Sequence, residues 1–150
     1  MLNFSSRALM SDTHTQILLV EDAEPDVFLV REALRQAGLA FDLKVLDDGE
    51  KAVEFIDQLD GDADAQCPEL VLLDLNLPKR SGDQILEHMR HSERCSRVPV
   101  VIVTSSDSPK DRAQTSRLGA TQYFRKPSRL DEFMKLGSLV RGIIEKANPT

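Results

Sequence analysis

"ELVLLDLNLPKRSG", residues 69–82, drives the apolar run "LVLL" directly into Asp74 and then into a proline- and glycine-containing turn. A short apolar run without polar alternation fits a strand covered on both faces, as the strands of a parallel sheet are. The carboxylate at its exit has two explanations. Asp commonly opens a loop. Alternatively, it is a reactive group at a sheet mouth, because ligands of open α/β sheets sit at strand carboxyl ends. The rest of the chain decides between them.

Working outward, "QILLV" (16–20), "VPVVIV" (98–103) and the weaker "TQYF" (121–124) read as further buried strands, while "FDLKVL" (41–46) alternates more and suits an edge. Helical patterns lie between them. One runs from about Glu24 to Ala37, with Pro25 in its first turn and Gly38 at its stop. Its Val27, Val30, Ala33, Leu34 and Ala37 recur at threes and fours and form a core-facing stripe. A second begins near "DSP" (107–109) and stops at Gly119, and the last spans about Leu130 to Lys146. "DGDADAQCP" (60–68) reads as an acidic loop before the third strand. Strand and helix alternating five times predict an α/β fold, a doubly wound five-stranded parallel sheet with helices on both faces.

The 150 residues fit one domain, expected over 15–147 behind a disordered extension of residues 1–14. "MSDTHTQ" makes Met10 as good a natural start as Met1. No run approaches the roughly 20 apolar residues of a spanning helix, and the N-terminus lacks a signal peptide's apolar middle. A cytoplasmic protein without membrane association is therefore expected. Cys67 and Cys95 show no metal-like spacing and suit a reducing compartment. The net charge of −6 argues against nucleic acid as a partner, since such binding wants a basic surface.

The strand exits carry the chemistry. The first strand ends in Glu21 and Asp22, the third in Asp74, the fourth in Thr104 followed by "SSD", and the fifth approaches Lys126 and Pro127. In a parallel sheet all of these groups face one edge. Carboxylates about 4 Å apart repel by about 4 kcal/mol per pair at an effective dielectric of 20. One lysine does not neutralise three of them, whereas a hard divalent cation with oxygen ligands does. Asp74 is then placed to attack a phosphoryl group, with Lys126 stabilising the transferring charge and Thr104 donating to a phosphoryl oxygen. Each residue alone has a plainer reading as a turn, a cap or a surface lysine. The joint pattern across four strand ends outweighs those readings.

"ILLVED", "LVLLDLNLPKRSG", "VPVVIVTSS" and "YFRKP" together resemble the motifs of bacterial response-regulator receiver domains, over residues 16 to about 146. The resemblance implies a CheY-like, flavodoxin-like fold with strand order 2-1-3-4-5. It implies that Asp74 is the phosphoacceptor, served by a histidine kinase or a phosphotransfer protein in a two-component phosphorelay. Mg²⁺ or Mn²⁺ would be held by Asp22 directly, by Glu21 through water, by Asp74, and by the backbone carbonyl of Asn76. It also implies that Thr104 and Tyr123 switch together, that Lys126 binds phosphate, and that Pro127 follows a cis bond. Output would leave through the face of the fourth helix, fifth strand and fifth helix, which is also a candidate homodimer surface. Glu21 departs from the more frequent Asp, and "SSDSPKD" places Ser106 and Asp107 near the site. With only "ANPT" after the last helix, a stand-alone receiver is expected. "DLNLPKRSG" and "EDAEPDVFLVREAL" are similar to receivers paired with phytochrome-type histidine kinases.

Three other functions compete. A haloacid-dehalogenase-like phosphatase also uses an Asp after a strand with Ser/Thr, Lys and Mg²⁺, but wants a second Asp where Asn76 stands. A flavodoxin-like cofactor binder wants a glycine- or hydroxyl-rich phosphate loop after the first strand. A phosphate-independent adaptor keeps the fold and loses the chemistry. The last helix raises a separate question of surface. Leu130, Phe133, Met134, Val140 and Ile144 share one face, and Leu136, Leu139 and Ile143 widen the arc. Dense internal packing explains this more simply than a partner surface does.

Overall fold

The computed structural model describes residues 14–147. The expectations for residues 1–13, including the Met10 start, and for the last three residues lie outside them. Five strands, β1 (Thr15–Val20), β2 (Phe41–Leu46), β3 (Leu70–Leu73), β4 (Val100–Thr104) and β5 (Gln122–Arg125), form one parallel sheet in the order β2-β1-β3-β4-β5. The predicted strands lie within two residues of these bounds. β3 and β4 are buried at every position, as uninterrupted apolar runs require, while β2 alternates at the edge.

Helix α1 (Glu24–Gln36) follows β1, with Pro25 in its first turn. Two further helices, α2 (Gly49–Asp60) and α3 (Gly82–Arg90), fill connections whose bounds the hydrophobic pattern left open. Both carry start signals. Asp48 accepts the Lys51 N–H at 2.8 Å to cap α2, and Ser81 with Gln84 forms a capping box on α3. Helix α4 (Pro109–Arg117) is polar nearly throughout, with only Thr115 buried. The terminal helix is two pieces, α5 (Leu130–Phe133) and α6 (Lys135–Ala147), joined at Met134, whose carbonyl accepts the Gly137 N–H at 3.1 Å. That i→i+3 bond tightens the turn.

Alternate residues of the central strands serve two cores. Leu18, Val20, Val71, Leu73, Val100 and Ile102 pack on α2 and α3 through Ala52, Ile56, Leu86 and Met89. Ile17, Leu19, Leu70, Leu72, Val101 and Val103 pack on α1 and α6 through Val30, Leu34, Leu136 and Val140. At Gly137 a Cβ would lie 2.1 Å from the Ala33 carbonyl oxygen, so only glycine lets α6 approach α1 this closely. The wide apolar arc of the last helix is thereby spent inside the fold, with Leu139 and Ile143 packed against this core. Leu130 is the exception. It was expected on that face but is 62% exposed, because within the single turn of α5 it is Phe133 that faces the core.

The cysteines also depart from expectation. Cys67 and Cys95 are joined in a disulfide rather than kept apart as thiols. Their spacing hides this, but topology accounts for it. One precedes β3 and the other β4, and these are hydrogen-bonded parallel neighbours whose starts share one sheet edge. No helix among the described residues is long and apolar enough to cross a membrane.

Candidate functional site

β1 and β3 pair in register, Val20 opposite Leu73, so their next residues leave the sheet side by side. These are Glu21 and Asp74. The Asp74 N–H donates to the Val20 carbonyl at 3.2 Å and the Glu21 N–H to Leu46 at 2.9 Å, which fixes both backbones at the sheet's carboxyl edge. Carboxylate oxygens of Glu21, Asp22 and Asp74 lie within 4.8 Å of one another. Glu21 and Asp74 are buried, and Asp22 is exposed. The expected convergence is present.

Lys126 reaches this cluster from the end of β5. Its backbone N–H donates to the Thr104 carbonyl at 2.7 Å, tying the fourth and fifth exits together. Its Nζ donates to Glu21 at 2.7 Å, to Asp26 at 2.7 Å and to Asp74 at 3.1 Å. Asp26 was not singled out in the sequence. It sits in the first turn of α1, four residues past Asp22, where an acidic side chain reads as ordinary helix-dipole complementarity. Its signal was that Pro25 starts α1 beside the first strand's exit.

Three carboxylates, Glu21, Asp26 and Asp74, thus surround one ammonium, and Asp22 stands beside two of them. Burial works against the Lys126 charge, but its hydrogen bonds to Asp26 and Glu21 and the Asp74 charge outweigh it and hold the ammonium above the ordinary lysine range. Burial also pushes the Glu21 carboxyl up, against the opposing pull of Lys126 and the Ala23 N–H. Both groups are displaced upward for opposite reasons: three carboxylates win at the lysine, and desolvation wins at the glutamate. The excess of hard oxygen donors fits a divalent cation of the Mg²⁺ or Mn²⁺ type.

The remaining predicted residues surround this centre. The Asn76 N–H donates to Asp74 Oδ1 at 3.3 Å, which orients the carboxylate from the backbone. Gly82, the first residue of α3, presses on Asp74 so closely that a Cβ there would lie 2.1 Å from the Asp74 carbonyl oxygen. The intervening loop turns at Lys79, φ 71°, where the Arg80 N–H closes on the Pro78 carbonyl at 2.8 Å, a strained three-residue turn. The Gly49 N–H also donates to Pro78, so this strained loop is pinned to α2.

Thr104 is fully buried, and its Oγ1 accepts the Ser106 N–H at 3.4 Å. Ser106 is a node that the sequence located but did not explain. Its hydroxyl donates to Asp111 at 2.5 Å, and its carbonyl accepts the Tyr123 hydroxyl at 2.9 Å. Tyr123 lies under the Arg112 guanidinium, 4.3 Å from the ring centroid. Thr104 and Tyr123 are therefore connected through one residue of the β4–α4 loop. The Lys126–Pro127 bond is not cis. No cis peptide occurs among the described residues, and trans is the intrinsically favoured X–Pro isomer.

A sequence model of the response regulator receiver domain matches residues 17–136. The chain is 35% identical to response regulator Rcp1 of Synechocystis sp. over 127 residues, which cover 85% of this chain and 84% of that protein. Among solved structures, it resembles the phosphorylated cyanobacterial phytochrome response regulator RcpA, with 32% identity and a TM-score of 0.75, over 88% of this chain and 92% of that one. It likewise resembles the Mn²⁺-bound form of Rcp1, with 34% identity and a TM-score of 0.74, over 87% of this chain and 92% of that one.

Proposed function

This chain belongs to the response regulator receiver domain family, and from that premise we propose that Asp74 takes a phosphoryl group from a histidine kinase. The observation that carries this reading is the Lys126 ammonium, shared among Glu21, Asp26 and Asp74 at the sheet's carboxyl edge. An Asp74 carboxylate oxygen attacks phosphorus, the P–N bond of the phosphohistidine donor breaks, and the imidazole leaves with the bonding electrons. Lys126 moves its ammonium from the carboxylates toward the incoming phosphoryl oxygens. The Thr104 hydroxyl accepts from Ser106 and so keeps its own proton to donate to a phosphoryl oxygen.

Glu21, Asp22, Asp74 and the Asn76 carbonyl would hold Mg²⁺ or Mn²⁺, which supplies charge neutralisation when bound. The family acts as a signalling switch rather than as a dedicated enzyme, and slow hydrolysis at the same site resets it. The phytochrome association of RcpA supports a phytochrome-type kinase as donor, in the cytoplasm. The added charge of about −1.5 to −2 would draw Thr104 away from its present contacts. Because Ser106 also holds Tyr123 and Asp111, that change passes into α4 and the face it shares with β5 and the last helix.

Intact mass after incubation with a small acyl phosphate and Mg²⁺ tests the reading. The wild-type chain gains one phosphate, and Asp74→Asn gains none. Turnover of a generic phosphate ester without a stable adduct would instead establish a phosphatase.

A further inference from the structure

A second reactive pair stands at the opposite edge of the sheet. The Cys67 and Cys95 sulfurs are bonded, with their Cα atoms 5.7 Å apart, within the usual range for a disulfide. We propose that these two residues are a reversible thiol–disulfide couple that exchanges with low-molecular-weight disulfides. Cys67 is the reacting thiol and Cys95 the resolving one.

The order follows from exposure. Cys95 is fully buried among the residues that join α3 to the sheet, whereas Cys67 is half-buried at the rim of that cluster. An external reagent therefore meets Cys67 first. The Cys67 thiolate attacks one sulfur of glutathione disulfide, forming a mixed disulfide and releasing one glutathione thiolate. The Cys95 thiolate then attacks the Cys67 sulfur and expels the second. The two protein thiols give up two protons and two electrons, and one glutathione disulfide becomes two glutathione thiols.

The sulfurs stay close without the bond, because the loop that carries Cys95 is held by other groups. The Cys95 N–H donates to Ser92 Oγ at 3.0 Å, and that hydroxyl donates to Asp60 at 2.6 Å. The Arg94 guanidinium donates to the carbonyls of Leu59 at 2.7 Å, Asp62 at 2.5 Å, and Ala65. On the other side, the Glu69 N–H donates to Gln16 at 2.8 Å and fixes the chain just past Cys67. Reduction thus leaves a preorganised dithiol in a folded protein.

The bond closes a segment with a sequence separation of 28 that contains β3, Asp74 and α3. The bond ties that segment at the end remote from Asp74, so oxidation stiffens the phosphoacceptor unit without entering its site. The melting temperature of the oxidised chain should exceed that of the reduced one by roughly 5–15 °C. Phosphate uptake at Asp74 should agree within about twofold in the two states.

The test treats the reduced full chain with glutathione disulfide, quenches at intervals by acid, and reads intact and peptide masses. The wild type should lose two hydrogens, with any trapped glutathionyl group on Cys67. Cys95→Ser should retain one glutathionyl group, and Cys67→Ser should react at least tenfold more slowly. Two persistent thiols in the folded wild type, trapped adduct on Cys95, or equal rates for the two variants would overturn the proposal. The wild-type trapping needs no variant to fold, and its result is independent of whether Asp74 accepts phosphate.

Discussion

Lys126 Nζ lies closer to Asp26, at 2.7 Å, than to Asp74, at 3.1 Å. The lysine proposed to meet an incoming phosphoryl group is thus held in part by a carboxylate of α1. Removing the Asp26 charge takes away a competitor for the ammonium while leaving Glu21 and Asp74 in place. A hydrogen bond between charged groups contributes about 1.5–3 kcal/mol, of which only a part is released here because Glu21 and Asp74 still hold the ammonium. Asp26→Asn should accept phosphate from a small donor about three to ten times faster, as read by the initial rate of adduct formation. An unchanged or slower rate would mean that Asp26 positions Lys126 rather than restrains it.

The chain holds a single tyrosine and no tryptophan, so its intrinsic emission comes from Tyr123 alone. The Tyr123 hydroxyl is tied to the Ser106 carbonyl, two residues past Thr104. If the loop follows Thr104 toward phosphate, that bond breaks and the ring's surroundings change. Tyrosine emission should shift in intensity on phosphorylation with the kinetics of adduct formation. Ser106→Ala, which releases the Asp111 carboxylate from the Ser106 hydroxyl, should reduce the amplitude. Emission indifferent to phosphate would separate Tyr123 from the switch.

Asp22 is exposed, and its removal should leave the apo fold intact, yet it belongs to the carboxylate cluster. A divalent ion at tenfold its dissociation constant stabilises a folded protein by about 1.4 kcal/mol. Mg²⁺ should therefore raise the wild-type melting temperature by roughly 3–6 °C over EDTA. Asp22→Asn should melt like the wild type in EDTA and respond to Mg²⁺ by less than about 1 °C. An equal response in both proteins would place the ion elsewhere.

The Ser92 hydroxyl, with the Arg94 and Glu93 N–H groups, holds the Asp60 carboxyl below the usual carboxylate range, and these bonds outweigh its slight burial. Its folded value thus lies under the unfolded one, near 3.9. The stability it contributes is fully present above that unfolded value and is lost as pH falls through the lowered one. Thermal melts between pH 5 and pH 2.5 should show a shallower acid decline for Asp60→Asn than for the wild type. Parallel declines would assign the acid loss to other carboxylates.

Much of this architecture was legible because its signals are local. Unbroken apolar runs at β1, β3 and β4 announced a sheet covered on both faces, and charged residues at their exits named one edge of it. Helices α2 and α3 were harder to delimit by apolar periodicity, although the Asp48 cap and the Ser81–Gln84 box mark their starts. Asp26 escaped notice because its partner is 100 residues away, and only the fold brings the first turn of α1 and the residue after β5 to the same edge of the sheet. The disulfide was missed for a different reason. The expected strand order already places both cysteines ahead of adjacent parallel strands, but spacing alone, weighed for metal ligands, does not show that their side chains meet. The exposure of Leu130 was not legible because it shares one short helix with Phe133, and only the packing shows which of the two faces the core.

On the proposed reading, the Asp74 carboxylate bonded to Lys126 carries the phosphoryl group as an acyl phosphate. Borohydride reduces an acyl phosphate to an alcohol, which would turn a phosphorylated Asp74 into homoserine. Peptide mapping of borohydride-treated, phosphorylated wild-type chain should find homoserine at position 74 and aspartate at positions 22 and 26. Homoserine at another carboxylate, or a borohydride-resistant phosphate on Ser106 or Thr104, would rule out Asp74 as the acceptor.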